Sequence, residues 1–175
     1  GATVALSIGG NTRAATVSGT SWSYALQSSD ITAMGQGTEI LSATQTDAAG
    51  NKSAAGTRTI TVDSLAKGAP VIGLVAIDDI VNASEVASTI TGTNVAGSTV
   101  ALSIGGNTRA ATVSGTTWSY ALQADDITAM GQGTEILSAT QTDASGNTSA
   151  ASTRTITVDT APTGAPVINA VASDD

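Results

Sequence analysis

The chain has 175 residues, six basic against fourteen acidic, with no Cys, no His and no Phe, and a formal net charge of −8. That composition excludes disulfides, thiol chemistry and every metal or catalytic scheme that needs a thiolate or an imidazole. The acidic balance has the wrong sign for gripping nucleic-acid phosphates, and the longest apolar run, residues 69–77, is too short to insert across a bilayer.

Residues 1–79 recur as residues 97–175, with about four positions in five identical and a period of about 96 residues. Trp22 returns as Trp118, Asp47 as Asp143 and Asp63 as Asp159. An enzyme rarely needs near-identical copies of itself in series, whereas each added copy lengthens a stalk. The expected division is 1–63, a repeat lacking its first two strands; 64–159, a complete repeat; and 160–175, the first strand of a third. The missing strands point to a window on a longer array, with strands lent by a neighbouring chain as the alternative. Any export signal is expected outside the chain, which opens on Gly-Ala-Thr-Val.

Thr, Ser, Ala, Gly and Val dominate, and they favour strands and turns. In chain order the complete repeat predicts strand A at residues 70–77, B at 88–94 and C at 99–104. In strand C, Val100, Leu102 and Ile104 alternate onto one face. Gly105-Gly106-Asn107 suits a tight hairpin into D at 108–113. Strand E at 117–123 places Trp118, Tyr120 and Leu122 together, F follows at 134–142, and G at 153–159 turns Ile156 and Val158 inward. The fold class is therefore all-β: tandem immunoglobulin-like antiparallel β-sandwiches of about seven strands per repeat. Trp118 and Tyr120 belong to a core that is thin, because many inward positions are Ala or Gly.

Several short motifs follow one another in a fixed order. They are Ile90-Thr91-Gly92-Thr93, Gly97-Ser98-Thr99-Val100, Gly115-Thr116-Thr117-Trp118-Ser119 and Thr142-Asp143-Ala144-Ser145-Gly146-Asn147. In that order the chain resembles the tandem bacterial Ig-like repeats of large biofilm-associated, RTX-type surface adhesins. The resemblance covers essentially the whole chain. It implies a secreted, cell-surface extender that supports cell adhesion and biofilm formation, often with Ca²⁺ at domain junctions. The chain departs from the secretion end of such proteins, since no Gly-Gly-x-Gly-x-Asp calcium nonapeptide occurs.

Acids are the remaining candidate chemistry, and they cluster in loops. Tracing the sandwich puts Asp78, Asp79, Asn82 and Glu85 of the A–B loop at the far pole, with Asp125 and Asp126 of the E–F loop and Asp159 at the end of strand G. Asp143 and Asn147 of the F–G loop return to the opposite pole, facing Asp63 and Asp30 of the preceding unit. Oxygen-only ligation of this kind suits Ca²⁺. The candidate ligands are Asp63, Asp78, Asp79, Glu85, Asp126, Asp143, Asn147 and Asp159. Asp125 is set aside because the first copy has Ser29 there.

Structural alternatives stand beside each of these. Asp143 to Asn147 is a good turn sequence in its own right, and Asp78 can cap a short helical turn. Arg58, Arg109 and Arg154 are expected to pair with surface acids and to stabilise little. No nucleophile–base–acid set can be assembled, so the expected function is not enzymatic. Adjacent repeats are the expected partners. A glycan- or protein-binding module and a self-associating matrix component are the competing readings, the latter through exposed edge strands.

Overall fold

A computed structural model describes residues 1–169; the last part of the expected third-repeat strand, residues 170–175, lies outside the described residues. The protein is all-β with two short helices, and its contacts divide it after Leu65 into two compact units.

The second unit, from Ala66, is the fuller one. Its strands are β7 (Val71–Ile72), β8 (Ile80–Asn82), β9 (Thr89–Thr93), β10 (Thr99–Ile104), β11 (Asn107–Ala110), β12 (Thr112–Ser114), β13 (Thr117–Ala121), β14 (Gly133–Thr142) and β15 (Ser152–Asp159), with helix α2 (Ala124–Met130) before β14. They form one sheet in the order β11-β10-β14-β15-β8 and another in the order β12-β13-β9-β7. Alternation decides which residues face in. Val100, Leu102 and Ile104 point inward from β10, Leu137 and Ala139 from β14, and Ile156 and Val158 from β15. They meet Ile72, Ile90 and Trp118 from the other sheet. Each fully buried Leu, Ile or Val contributes about 1.5–3 kcal/mol relative to exposure. The outward positions, such as Thr91, Thr93, Thr153, Thr155 and Thr157, are exposed threonines, which keep β propensity without adding charge.

Two expected elements differ because the chain changes sheets. Expected strand A keeps only Val71–Ile72, paired with β9 with Val71 opposite Thr93, and Ile80–Asn82 of the expected A–B loop form a strand parallel to β15 in the other sheet. The chain therefore crosses between layers, through Ala76, Ile77 and Asp79 at φ 49°, 75° and 67°. Left-handed backbone is rare for a β-branched residue such as Ile77, so this crossing is strained. Expected strand D crosses at Ala111: Asn107–Ala110 pair with β10, whereas Thr112–Ser114 pair with β13.

The sequence pattern places Asp125 and Asp126 in the E–F loop, and the structure forms helix α2 there: Ile127 and Met130 sit three apart and pack on the core, and Gly131 at φ 73° ends the helix. Gly105 lets it approach: a Cβ there would lie 2.7 Å from the Ala129 backbone. The parallel pairing of β8 with β15 has a consequence for function. β8 and the last strand, β15, run in the same direction, so the chain enters β8 at one pole and leaves β15 at the other.

The first unit repeats this build from β1 onward. Its strands are β1 (Thr3–Ile8), β2 (Asn11–Ala14), β3 (Thr16–Ser18), β4 (Ser21–Ser23), β5 (Gly37–Thr46) and β6 (Gly56–Val62), with α1 (Ser28–Met34). Registers are kept across the repeat: Ala5 faces Ala14 as Ala101 faces Ala110, and Gly37 faces Val62 as Gly133 faces Val158. Counterparts of β7, β8 and β9 are absent among the described residues of this unit, so β3 and β4 form a two-stranded sheet alone. Trp22 is in consequence 47% exposed, against 2% for Trp118.

Gly92 is where this packing is tightest. A Cβ there would fall 1.9 Å from the Val71 carbonyl oxygen and 2.4 Å from the Trp118 ring. Gly92→Val is expected to destabilise the second unit by about 2–3 kcal/mol, and to leave the first unit unchanged. Thermal unfolding followed by Trp118 fluorescence in a Trp22→Phe background measures the first effect; an unaltered midpoint would contradict the packing.

Candidate functional site

Each unit buries one carboxylate, and both copies hold it in the same way. Asp126, on the first turn of α2, has a side chain fully shielded from solvent. Arg109 of β11 donates from Nε to Oδ1 at 2.7 Å, Tyr120 of β13 donates its hydroxyl to Oδ2 at 2.7 Å, and the Gln123 amide donates to Oδ2 at 2.9 Å. In the first unit Asp30 receives Arg13, Tyr24 and the Gln27 amide at 2.6, 2.7 and 2.9 Å. One carboxylate thus ties two sheets to one helix and satisfies a donor at the helix start.

Burial pushes the Asp126 carboxyl upward, and the bonds from Tyr120, the Gln123 amide and Arg109 outweigh it, so its pKa lies below the ordinary value. For Asp30 the Gln27 amide leads the same downward shift, opposed by burial and aided by Tyr24 and Arg13. Tyr120 is raised, by burial and by its bond to Asp126. A tyrosine with a raised pKa beside a charged, fully occupied carboxylate has no free proton acceptor, so this cluster holds structure and offers no acid–base pair.

Arg154 and Asp79 form the third such link. Arg154 Nε donates to Asp79 Oδ1 at 2.6 Å, a second guanidinium nitrogen bonds Oδ2, and Asp79 Oδ1 also accepts the Val75 amide at 3.0 Å. The bond from Arg154 holds the Asp79 carboxyl below its usual range, against the cost of partial burial. This ion pair pins the strained crossing of residues 76–79 to β15. The arginines at 109 and 154 are therefore not surface pairs of small consequence, as the sequence implied. Each meets an acid that the fold has drawn inward.

The remaining expected ligands are dispersed. Asp143 Oδ1 accepts the amides of Ser145 and Asn147 at 3.0 and 2.9 Å, and Oδ2 accepts the Asn147 side-chain amide at 3.2 Å. Asp47 repeats this turn with Asn51. The Asn147 amide chiefly lowers the Asp143 pKa. Asp78 accepts the Ile80 amide at 3.0 Å, and Glu85 accepts the Asn82 amide at 3.3 Å. Asp159 stands opposite Asn82 in the β15–β8 register, and Asp63 is exposed just after β6. Among the described residues no three acidic side chains converge on a point that could hold a metal ion. Asp79 and Asp126 do not fit a calcium site, because an arginine guanidinium already sits against each carboxylate.

A groove of about 530 Å³ crosses the β12-β13-β9-β7 sheet, lined by Val71, Thr91, Thr93, Thr112, Ser114 and Thr117. Its lining carries no charged side chain, and Trp118 is too buried to offer a ring face to a sugar. Among the described residues no helix is long and apolar enough to cross a membrane.

No family model matches the chain, and no curated protein matches it. Among similar solved structures is one from a study giving structural insight into host cell surface retention of a 1.5-MDa bacterial ice-binding adhesin. It shares 27% identity, with a TM-score of 0.47 over 91% of this chain and 53% of that chain, so this chain spans about half its length.

The depressed carboxyl pKa values fix the sign of the pH response. Groups ionised more readily in the folded state stabilise it above the unfolded carboxylate pKa of about 4, and that stability is lost as pH falls through the folded values. Unfolding midpoints should be flat from roughly pH 5 to 8 and drop below about pH 4. Asp126→Ala, which strands Arg109 and Tyr120, should cost about 2 kcal/mol after allowing for the part-exposed arginine, lowering the second unit's midpoint by roughly 10 °C. A change within error would show that the buried carboxylate holds nothing together.

Proposed function

We propose that this chain is a structural extender segment of a large, repetitive bacterial cell-surface adhesin, holding an adhesive part away from the cell in a biofilm. One observation carries this reading. Both units repeat the same strand registers from β1 and β10 onward and the same buried carboxylate hub, and the fuller one takes in β8 at one pole and releases β15 at the other. A unit built so can be strung end to end, with every copy adding length. A strand of 10 residues such as β14 sets the scale, so each repeat should add roughly 35–45 Å. The chemistry agrees: the buried acids serve arginines, and the outward strand positions are mostly threonine and serine. The sequence resemblance to adhesin repeats supports the surface location.

Calcium belongs to this proposal in a narrowed form. With Asp79 and Asp126 committed to arginines, Ca²⁺ is left to exposed or half-exposed groups near the ends of a unit, namely Asp63, Asp78, Glu85, Asp143, Asn147 and Asp159. Such ions would stiffen junctions and would not be needed inside a unit.

Small-angle scattering on proteins of two, four and eight repeats tests both parts. Maximum dimension should rise linearly with repeat number by roughly 40 Å per copy, and millimolar Ca²⁺ should straighten the longer arrays without raising the midpoint of one complete unit. A dimension that levels off would contradict the extender, and a large calcium-driven rise in the single-unit midpoint would contradict the confinement of ions to junctions.

A further inference from the structure

In the second unit, residues 68–82 form a strap along the sandwich. The strap starts at Gly68, whose carbonyl is held by the buried Gln141 side chain near the start of β10. It ends at Asn82, opposite Asp159 at the end of β15. On the way it contributes β7 to one sheet and β8 to the other, and it sets Ile72, Val75 and Val81 into the core.

One side chain ties both halves of the strap to the body. Arg154 of β15 bonds both carboxylate oxygens of Asp79, with Nε to Oδ1 at 2.6 Å, and its Nη1 donates to the Ile72 carbonyl at 3.3 Å. The Thr157 amide of the same strand donates to the Asp79 carbonyl at 2.8 Å. The turn is also closed on itself, because the Asp79 amide donates to the Val75 carbonyl at 2.8 Å and Asp79 Oδ1 accepts the Val75 amide at 3.0 Å. Asp79 is thus held through its side chain, its carbonyl and its amide, and the first two lead to β15.

The direction of the strands decides what tension does to this arrangement. β8 and β15 are parallel. A pull on the chain ahead of the strap, opposed by a pull on the chain after β15, slides the two strands along each other. Their ladder bonds and the Arg154 bonds then carry load together. A ladder pulled from a shared end opens one bond at a time.

We propose that residues 68–82 and β15 form a load-bearing clamp, with Arg154 as its rivet, and that the unit resists being stretched through its chain ends. The extender reading supplies the source of the force. The clamp itself rests on strand directions and bonds within one unit.

Single-molecule pulling on the full chain tests it. The sequence has no cysteine, so Lys67→Cys with Thr163→Cys places handles at exposed positions that load the strap in shear. Ala83→Cys with Thr163→Cys, also exposed, pulls β8 and β15 apart from their shared end. The first geometry should need about twice the rupture force of the second, or more. Equal forces would overturn the clamp, and this comparison changes nothing within it. Arg154→Gln should bring the shear force down towards the peeling force and leave the peeling force within error, because peeling starts at Asn82, ahead of the rivet. A contact that only stabilises the unit would lower both forces alike, and that result would overturn the role of Arg154. If Arg154→Gln does not fold, Asp79→Asn carries the same expectation. Equal forces in a protein whose arrays still lengthen linearly would sink the clamp and spare the extender; unequal forces with arrays that level off would do the reverse.

Discussion

A carboxylate with no access to water is costly unless every oxygen lone pair facing the interior meets a donor, and each unit of this protein is arranged around that requirement. Asp126 draws Arg109 from one sheet, Tyr120 from the other and the Gln123 amide at the start of a two-turn helix to a single point. A helix of seven residues is too short to hold itself together in water. It persists because its third residue is this buried acid and because Ile127 and Met130 rest on the core. Take away the carboxylate and the helix loses its anchor, the guanidinium its partner and the Tyr120 hydroxyl its acceptor. The core, with Trp118 as its one large aromatic, has little surplus burial to compensate.

The same logic explains how a domain with so few charges uses them. Arg109 and Arg154, two of the chain's six basic residues, connect elements far apart in sequence, Arg154 reaching Asp79 across 75 positions. Charge is spent on register and layer crossing, and the outward strand positions are chiefly threonine and serine, with exposed apolar residues such as Ile136 and Val71 among them. Such faces are polar enough for solubility, and they lack the aromatic platforms and charge clusters with which proteins usually grip ligands. On the proposed extender reading such faces are an asset, because the repeat would contribute length and direction and leave recognition to other parts of the molecule.

Much of the fold was legible in the sequence, because strand alternation leaves a plain signal. Val100, Leu102 and Ile104 and then Ile156 and Val158 were placed inward by period alone. The layer crossings at residues 76–79 and at Ala111 were not, since a strand that changes sheets keeps its composition and changes only its partner. The helix was hidden by length: seven residues carry too few apolar positions for a 3.6-residue period to stand out. Gln123 followed three residues later by Asp126, with Gly131 closing the stretch, was the signal available. The acids were the hardest to read. Loop position suggested ligands, but whether an aspartate faces solvent or an arginine depends on long-range pairing that no local motif records. The joint recurrence of Arg13, Tyr24 and Asp30 as Arg109, Tyr120 and Asp126 was present in the repeat, though it carried no label of contact.

The claim that the buried carboxylate hub holds each sandwich together is tested most directly by hydrogen exchange at one atom, the Gln123 amide that donates to Asp126. If the hub opens only when the whole unit unfolds, this amide exchanges as slowly as those in the centre of β14, even though it sits at the mouth of a short helix. Exchange at the rate of the neighbouring exposed loops, with β14 still protected, would mean that the helix and its aspartate fray freely from the sheets, and the account would fail.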